Sequence, residues 1–208
     1  MNVKRSKLEE QSERTRQRLL RAARWLFVRH GYDGTSTEDI VTRAGVTRGA
    51  LYYQFEDKRA LYRAVCDALA QETAERIASE TMERDPREEE ELRVGIELCL
   101  DLYRDPGLRR ILVDAPAVLG AAEFQEIQMS RARALLVHAL EHQVEAGRIP
   151  DQPLEPIARL LTGAIWEAAT SIGAAEDPEA TRAAYHRALM QLLAGFGASV
   201  DAGSDAEP

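Results

Sequence analysis

The chain has 208 residues, which is enough for one large domain or for a small and a medium one, each with a proper core. Its net charge of −8 is unevenly distributed: the first 66 residues carry 14 Lys and Arg against 8 Asp and Glu, a net charge of +6, and the remainder carries −14. A basic module joined to an acidic body is expected to meet DNA with its basic end first, although ordinary solvated helix faces also produce such a difference.

Apolar residues make up 45% of the chain, recur mostly three and four positions apart and do not alternate, which predicts an all-α fold without a sheet. No signal peptide and no apolar run near the ~18 residues of a membrane helix is present, so we expect a cytoplasmic protein. The two cysteines, Cys66 and Cys99, lack metal-type spacing and are expected to be reduced core residues, with redox sensing left open. No cofactor and no metal ion is predicted.

Residues 1 to about 11, which include Lys4, Arg5 and Lys7, lack a periodic pattern and are expected to form a flexible arm. The arm is either a solvated terminus or a segment that enters a neighbouring minor groove of DNA. A first helix is predicted from about Glu13 to His30, where it would buttress the segment that follows.

The stretch TSTEDIVTRAGVTRGALYYQF, residues 35–55, is predicted to form two short helices joined by a tight turn. Ser36 and Asp39 have the spacing of a capping box at the start of the first helix, and Thr47 is a good N-cap for the second. Gly45 between them tolerates the positive φ that such a turn requires. We therefore interpret the stretch as a helix-turn-helix.

The second of these helices has two chemically different faces. Leu51 is predicted to point inward, and the opposite face carries Arg48, Gly49, Tyr52 and Tyr53. An arginine can bond two acceptors on guanine, a glycine allows close backbone approach, and phenol rings can contact thymine methyl groups or phosphate oxygens. This face is predicted to bind DNA, the alternative being that the two tyrosines only pack a helical hairpin.

A longer helix is predicted to follow, capped by Asp57 and continuing to about Met82. Lys58 lies in its first turn, where a positive charge opposes the helix macrodipole. A phosphate shared between the ammonium group and the free backbone N–H groups would explain a lysine at this position. Lys58 is therefore predicted to contact the DNA backbone.

Three successive signals, Gly31-Tyr32, TSTEDI and AGVTRGALYYQFEDKRAL, make residues 12 to 66 resemble the DNA-binding domain of the tetracycline-repressor (TetR) family. Gln54 departs from the pattern, because family members often have histidine there. The resemblance implies a transcription regulator whose partner is double-stranded operator DNA. Together with the helix faces, it predicts eight DNA-binding residues: Ser36, Thr37, Thr47, Arg48, Gly49, Tyr52, Tyr53 and Lys58.

Beyond a polar connection at 83–91, helices are predicted over about 88–103, from 108 to a stop at Pro116, and over about 121–147. The stretch RDPGLRRILVDAPAVLG resembles the middle of the ligand-binding half in the same family. A mostly apolar small-molecule effector is expected in this half, although a filled core without a cavity is the alternative. The walls predicted from helical faces are Cys99, Tyr103, Leu112, Met129, Leu136 and His138.

His138 and His142 are four residues apart, with Glu145 three residues further, a spacing that could hold a metal ion. Lining of a cavity or exposure on a wet face is the preferred interpretation, because no other cluster with ligand spacing is present. The metal alternative implies a different class of protein, in which the acidic body is an enzyme and the helix-turn-helix is a docking module.

The last two predicted helices carry heptad-like apolar stripes, at 154–172 and 185–196, and each stripe is expected to need a partner helix. Two helices from each of two subunits would form a four-helix homodimer interface, the alternative being that the pair covers its own core. Residues 199–208 are expected to form a disordered tail. The predicted dimer residues are Leu154, Ala158, Leu161, Ile165, Trp166, Ala168, Ile172, Tyr185, Leu189, Leu192 and Phe196.

These features together predict a three-helix DNA-binding domain at 1–66, a helical ligand-binding and dimerisation domain at 67–198, and a tail. The leading hypothesis is a ligand-responsive regulator, most often a repressor in the family it resembles, that binds a palindromic operator as a homodimer. The helix that starts at Lys58 is expected to be the sole link between the domains and to transmit ligand binding. A helical adaptor that binds protein alone is a third hypothesis.

Overall fold

The computed structural model describes residues 7–84, 90–102 and 104–197, with positions 128, 129, 196 and 197 described in backbone only. Within these ranges the chain forms nine α-helices and no strand, which confirms the all-α prediction. None of these helices combines the length and the apolar character that crossing a membrane requires. The helices are α1 (Lys7–His30), α2 (Thr37–Ala44), α3 (Arg48–Gln54), α4 (Lys58–Arg84), α5 (Glu91–Leu102), α6 (Pro106–Leu119), α7 (Ala121–Glu145), α8 (Leu154–Ala174) and α9 (Pro178–Gly197).

Several predicted boundaries change. The predicted arm is wrong from residue 7 onward, because α1 begins at Lys7, while the rest of the arm lies outside the described residues. The predicted tail at 199–208 and most of the predicted connection at 83–91 also lie outside the described residues. The first turn of α1 carries two acidic side chains, Glu9 and Glu10, which complement the helix dipole and help to explain its earlier start.

The turn between α2 and α3 forms as its sequence predicts. Ser36 and Asp39 make both bonds of a capping box, and Thr47 Oγ1 accepts a hydrogen bond from Ala50 N at 3.2 Å. Gly45 adopts a left-handed conformation with φ of 60°, and its N–H bonds back to the last turn of α2. Arg18 of α1 donates to the Gly45 carbonyl oxygen at 2.9 Å, which ties the turn to the buttress helix.

The chain divides into two compact units, which differ from the two predicted domains. Unit 1 comprises Met1–Gln71 and Pro106–Gln128, and unit 2 comprises Glu72–Asp105 and Met129–Pro208. The chain therefore passes from one unit to the other three times: within α4, before α6 and within α7. The prediction that α4 alone links the two parts is wrong, because α6 and the start of α7 fold with the N-terminal helices.

Side chains of α4 hold α6 in unit 1. The buried Tyr62 hydroxyl donates to the Ile111 carbonyl oxygen at 2.6 Å, and burial raises the Tyr62 pKa above its ordinary value. Arg59 donates to the Leu119 carbonyl oxygen at 2.9 Å and, like Arg63, to the Glu123 carboxylate. The C-terminus of α6 is thus capped by a cation, which its dipole favours.

Helix α6 continues past the predicted stop. Pro116 lies inside it and is exposed, and the helix ends three residues later at Leu119, followed by Gly120, whose φ is 85°. Proline removes one backbone donor but leaves its own carbonyl, which accepts from Gly120 N at 3.0 Å. The buried side chains of Ala115 and Leu119 flank the proline and hold this last turn against the core.

Unit 2 packs its helices around two apolar clusters. The first centres on Leu140 of α7 and Leu161 of α8, and the second on Leu100 of α5 and Ile172 of α8. Arg182 of α9 forms an ion pair with an α5 carboxylate at 2.7 Å. Helices α8 and α9 therefore pack against each other and against α5, and α7 joins α8 in the first cluster.

Candidate nucleic-acid interface and cavity

The outer side of α3 forms an exposed surface, here called the reading face, made of Arg48, Gly49, Tyr52 and Tyr53. Leu51 on the opposite side is fully buried and anchors the helix, while Tyr53 is 81% exposed. A Cβ atom added at Gly49 would meet only Thr47 Oγ1, at 3.9 Å. A large partner can therefore approach the backbone of α3 closely, as the sequence predicts.

Arg48 is the cation of the reading face. Its guanidinium lies 3.6 Å from a Glu38 carboxylate oxygen and 5.6 Å from the centroid of the Tyr52 ring. A hydrogen bond with Tyr52 and the nearby Glu38 charge raise the Arg48 pKa. Exposed ion pairs of this kind contribute little to stability, so Arg48 can exchange Glu38 for acceptors on a base edge.

The predicted contacts at the helix starts have local partners. Ser36 Oγ accepts from Asp39 N at 3.1 Å, and Thr47 Oγ1 is the α3 cap, so both hydroxyls stabilise the helix-turn-helix. Ser36 hydrogen bonds hold the pKa of Asp39 below its ordinary value. Ser36 and Thr47 are exposed, as is part of Thr37 in the first turn of α2. Their contacts with DNA stay predictions.

Lys58 has a second role that the sequence does not reveal. Its Nζ donates to the carbonyl oxygens of Tyr32 and Thr35, each at 3.0 Å, and lies 4.1 Å from the Tyr32 ring centroid. Lys58 thus ties the loop before α2 to α4. Two of the three ammonium hydrogens are used in this way, which leaves one for the predicted phosphate contact.

Gln54, which departs from the family pattern, makes a structural contact with α1. Its Nε2 donates to Ser12 Oγ at 2.7 Å and to the Ser12 carbonyl oxygen at 3.3 Å. The side chain therefore joins the end of α3 to α1. Only the folded structure identifies this contact, because the two residues are 42 positions apart.

Unit 2 contains a half-open cavity of about 470 Å³, within the usual range for small-molecule sites. Of the predicted walls, Cys99, Leu136 and His138 line it. Leu112 does not, because it is buried in unit 1; Tyr103 and the Met129 side chain lie outside the described residues. The sequence prediction missed the other wall residues: Ile77, Ala78, Thr81, Met82, Glu91, Leu92, Gly95, Ile96, Ala132, Leu135, Ala139, His142 and Ile165.

The polar groups of the cavity gather at two histidines. His142 Nδ1 lies 2.9 Å from Glu91 Oε2, and the His138 and His142 rings are 4.4 Å apart between centroids. Within the described residues no three His, Cys, Asp or Glu side chains form a metal-binding group. Burial raises the pKa of the Cys99 thiol to about 12, so the thiol is protonated at neutral pH. The wall is thus largely apolar with one imidazole–carboxylate edge.

Most of the predicted dimer stripe lies inside the single chain. The contact assignment needs correction for six residues that are buried in their own subunit's core: Ala158, Leu161, Ile165, Ala168, Ile172 and Leu189. Leu154, Trp166 and Tyr185 are partly buried, Leu192 is exposed, and the Phe196 side chain lies outside the described residues. Tyr185 donates its hydroxyl to Ser171 Oγ at 2.8 Å, a bond between α8 and α9. A heptad stripe does not distinguish a partner in the same chain from one in another chain.

Comparison with known proteins covers nearly all of the folded chain. Residues 19–65 match the model of bacterial regulatory proteins of the tetR family, and residues 89–196 match the tetracyclin repressor-like C-terminal domain. The HTH-type transcriptional repressor AcnR of Corynebacterium glutamicum is 29% identical over 182 residues, covering 76% of this chain and 88% of AcnR. The HTH-type transcriptional regulator TtgR of Pseudomonas putida is 40% identical over 76 residues, 36% of this chain and 35% of TtgR.

Solved structures show the same fold. A TetR-family transcriptional regulator from Pectobacterium atrosepticum superposes with a TM-score of 0.76 at 32% identity, covering 93% of this chain and 98% of that one. The fatty acid degradation regulator FadR of Bacillus halodurans has a TM-score of 0.66 at 21% identity, covering 84% and 93% of the two chains. The second similarity concerns the fold alone.

Proposed function

Because the chain belongs to the TetR family of DNA-binding transcription regulators, we propose that it is a ligand-responsive repressor that binds a palindromic operator as a homodimer. The family consists of regulators, which decides against the enzyme hypothesis. The similarity to AcnR, which is named a transcriptional repressor, supports repression rather than activation. The observation that carries the proposal is that the reading face of α3 is exposed while Leu51, on the opposite side of the same helix, is fully buried and fixes the helix in place.

Sequence recognition is assigned to Arg48 and Tyr52, and backbone contacts are assigned to Tyr53 and Lys58. Arg48→Ala should cost ~1–3 kcal/mol of binding energy and relax the preference at one base pair in each half-site. Tyr53→Phe keeps the ring and removes the hydroxyl, so it should weaken all duplexes alike. The Arg48 assignment fails if the alanine variant keeps both affinity and base preference.

Binding to a palindromic operator is tested by selection from a random duplex library, because such a library offers the protein every candidate half-site at once. The wild-type protein should select an inverted repeat, since a symmetric dimer presents two α3 helices about one or more DNA turns apart, roughly 34–36 Å per turn. The Arg48→Ala protein serves as the comparison and should return a repeat with one relaxed position per half. Selection of an unrepeated sequence would contradict binding as a symmetric dimer.

The dimer contact is assigned to the outward side of α8 and α9. Leu160 and Leu192 are large apolar residues that are 67% and 49% exposed in the single chain. Ala184 and Ala188 are exposed on α9 two turns and one turn before Leu192, and small side chains permit close helix approach. Burial of this face against a second copy would form the four-helix contact.

Leu192→Asp should convert the dimer to a monomer and leave the fold intact, because its site is exposed in the single chain. Gln191→Asp adds the same charge at the neighbouring position and serves as the control. Ile165→Asp is unsuitable for this purpose, since it would put a carboxylate into the subunit core. Sedimentation at micromolar concentration measures the outcome, and an unmodified protein that is already monomeric would refute the dimer.

The effector is assigned to the 470 Å³ cavity. The neutral apolar fluorophore N-phenylnaphthylamine is a suitable probe, because the wall is largely apolar. Gly95 lies in the wall, and nothing lies within 4 Å of a Cβ atom added there, so a side chain at this position would fill empty space. Gly95→Leu should abolish probe binding, and Gly95→Ala should only weaken it. Unchanged binding in the leucine variant would place the probe elsewhere.

Ligand binding is proposed to weaken DNA binding through the segments that the chain shares between its units, α4 and α7. A typical coupling of ~1–3 kcal/mol changes affinity about 5- to 150-fold, and linkage requires the same factor in both directions. A selected duplex should therefore lower the affinity for an effector that releases DNA. Equal effector affinities for free and DNA-bound protein would exclude this coupling.

A further inference from the structure

Unit 1 has a second basic surface outside the reading face. An open cleft of about 530 Å³ lies between α1 and α2. We call it the arginine cleft, and its lining residues are Arg18, Arg21, Ala22, Trp25, Arg43 and Ala44. Three guanidinium groups share this space, and the lining contains no carboxylate.

Two of these arginines have no ionic partner within the described part of the chain. The side chains of Arg21 and Arg43 make no ion pair or hydrogen bond there, whereas Arg18 donates to the Gly45 carbonyl oxygen at 2.9 Å. The C-terminus of α2 favours nearby cations and so accounts for Arg18 and Arg43. It does not account for Arg21, whose side chain makes no bond to the end of α2 and adds repulsion to a cleft that is already positive.

An indole ring orients one of the guanidinium groups. Arg43 Cζ lies 3.3 Å from the centroid of the Trp25 ring, and Arg29 Cζ lies 4.7 Å from it. Stacking on an aromatic face occupies the plane of a guanidinium and leaves its N–H edges available. Such an edge matches two oxygens of one phosphate group.

The cations of the reading face are more fully engaged. Arg48 faces the Glu38 carboxylate at 3.6 Å, and Lys58 donates to two backbone carbonyl groups. Arg21 and Arg43 are both exposed, so an anion can reach them from solvent. The positive charge of the arginine cleft is therefore accessible and suited to bind an anion.

We propose that the arginine cleft is a phosphate-binding site distinct from the reading face. Arg21 and Arg43 supply bidentate donors, and Arg18 adds positive charge from its fixed position. The Trp25 ring stacks on the Arg43 guanidinium and fixes its orientation. The phosphate comes either from the backbone of duplex DNA or from a free phosphate-bearing molecule. The DNA source rests on the proposed function, whereas the free source does not.

Tryptophan fluorescence gives a direct measurement, because the chain has only two tryptophans and Trp25 forms part of the cleft. The protein is titrated with tripolyphosphate, and the signal of a Trp25→Phe variant is subtracted to isolate the Trp25 emission. A saturable change is expected in the wild type and should disappear in Arg21→Gln with Arg43→Gln. Arg21→Gln alone should weaken it, and this variant loses no bond within the described residues.

The DNA source is tested by the salt dependence of binding to a 30-base-pair duplex of random sequence. Each lost phosphate contact reduces the slope of log affinity against log salt concentration by about 0.9. Arg21→Gln should show this reduction, whereas Arg109→Gln serves as the control, since it removes the same charge from α6 of the same unit.

The outcomes separate the two sources. A changed slope without tripolyphosphate binding supports the DNA backbone as the source, and tripolyphosphate binding with an unchanged slope supports a free ligand. Wild-type behaviour of Arg21→Gln and of the double variant in both measurements, or an equal slope change in Arg109→Gln without tripolyphosphate binding, would overturn the proposal. Failure of Arg48→Ala to affect base preference refutes the reading face and leaves the tripolyphosphate result unaffected.

Discussion

The two units of this protein are stabilised in different ways. In unit 1, Phe27, Tyr32 and Tyr62 form a compact aromatic cluster, and side-chain caps and a hydrogen bond from Arg18 hold the short helices α2 and α3 in place. In unit 2, long helices enclose two apolar clusters and leave a cavity of about 470 Å³. A filled core resists deformation, whereas a cavity lets its walls rearrange at lower cost. The proposed function would use unit 1 for rigid presentation of α3 and unit 2 for a change of shape on ligand binding.

Truncation of core side chains should give the largest difference between the units. Phe27→Ala should lower the free energy of unfolding by ~3–5 kcal/mol, because Phe27 is nearly fully buried between two rings. Leu136→Ala in the cavity wall should cost less, ~2 kcal/mol, because one side of Leu136 already faces empty space. Urea denaturation of both variants measures the difference. Equal losses would mean that the cavity wall is packed as tightly as the aromatic cluster.

One substitution should have opposite signs in the two units. Gly45→Ala should destabilise by ~1–2 kcal/mol, because φ is 60° and the new Cβ atom would meet Arg18 Nη2 at 2.7 Å. Gly95→Ala should stabilise by ~0.5–1 kcal/mol, because its helical site in the cavity wall is open. Thermal unfolding of the pair is the measurement. Stabilisation by both alanines would contradict the left-handed turn.

Acid should weaken the contact of Arg59 and Arg63 with Glu123 in unit 1, with a smaller effect on stability than the substitutions above. Hydrogen bonds from Arg63 and Arg59 hold the pKa of Glu123 below its ordinary value of 4.5. Because the folded pKa is the lower one, this stabilisation is present above pH 4.5 and is lost as the pH falls through the folded value. The Glu123 side chain is partly exposed, so the effect is modest.

The variant Glu123→Gln isolates this contribution, because it has no carboxylate to titrate. Its stability should lie below that of the wild type at neutral pH, and the gap should close as the pH falls below 4.5. Denaturation at several pH values between about 7 and 3 checks this. A gap that stays constant over that range would show that the two arginines stabilise glutamine and glutamate equally.

The helix-turn-helix could be predicted in detail from the amino-acid sequence. The capping box of Ser36 and Asp39, the left-handed Gly45 and the buried Leu51 all follow from residues within a few positions of one another. Hydrogen bonding and sterics over one helical turn decide such features, so local sequence is sufficient. The all-α class follows for a similar reason, since the apolar spacing is a property of each helix.

The grouping of helices into units and the pairing of apolar faces depend on tertiary packing instead. The Lys58 and Gln54 ties connect residues 23 to 42 positions apart, and the cavity includes α4 residues that no sequence pattern singles out. The stripes of α8 and α9 look alike whether their partner is α5 of the same chain or another subunit. Helical periodicity records that a face is buried, but the partner depends on long-range packing, which the pattern of one helix does not encode.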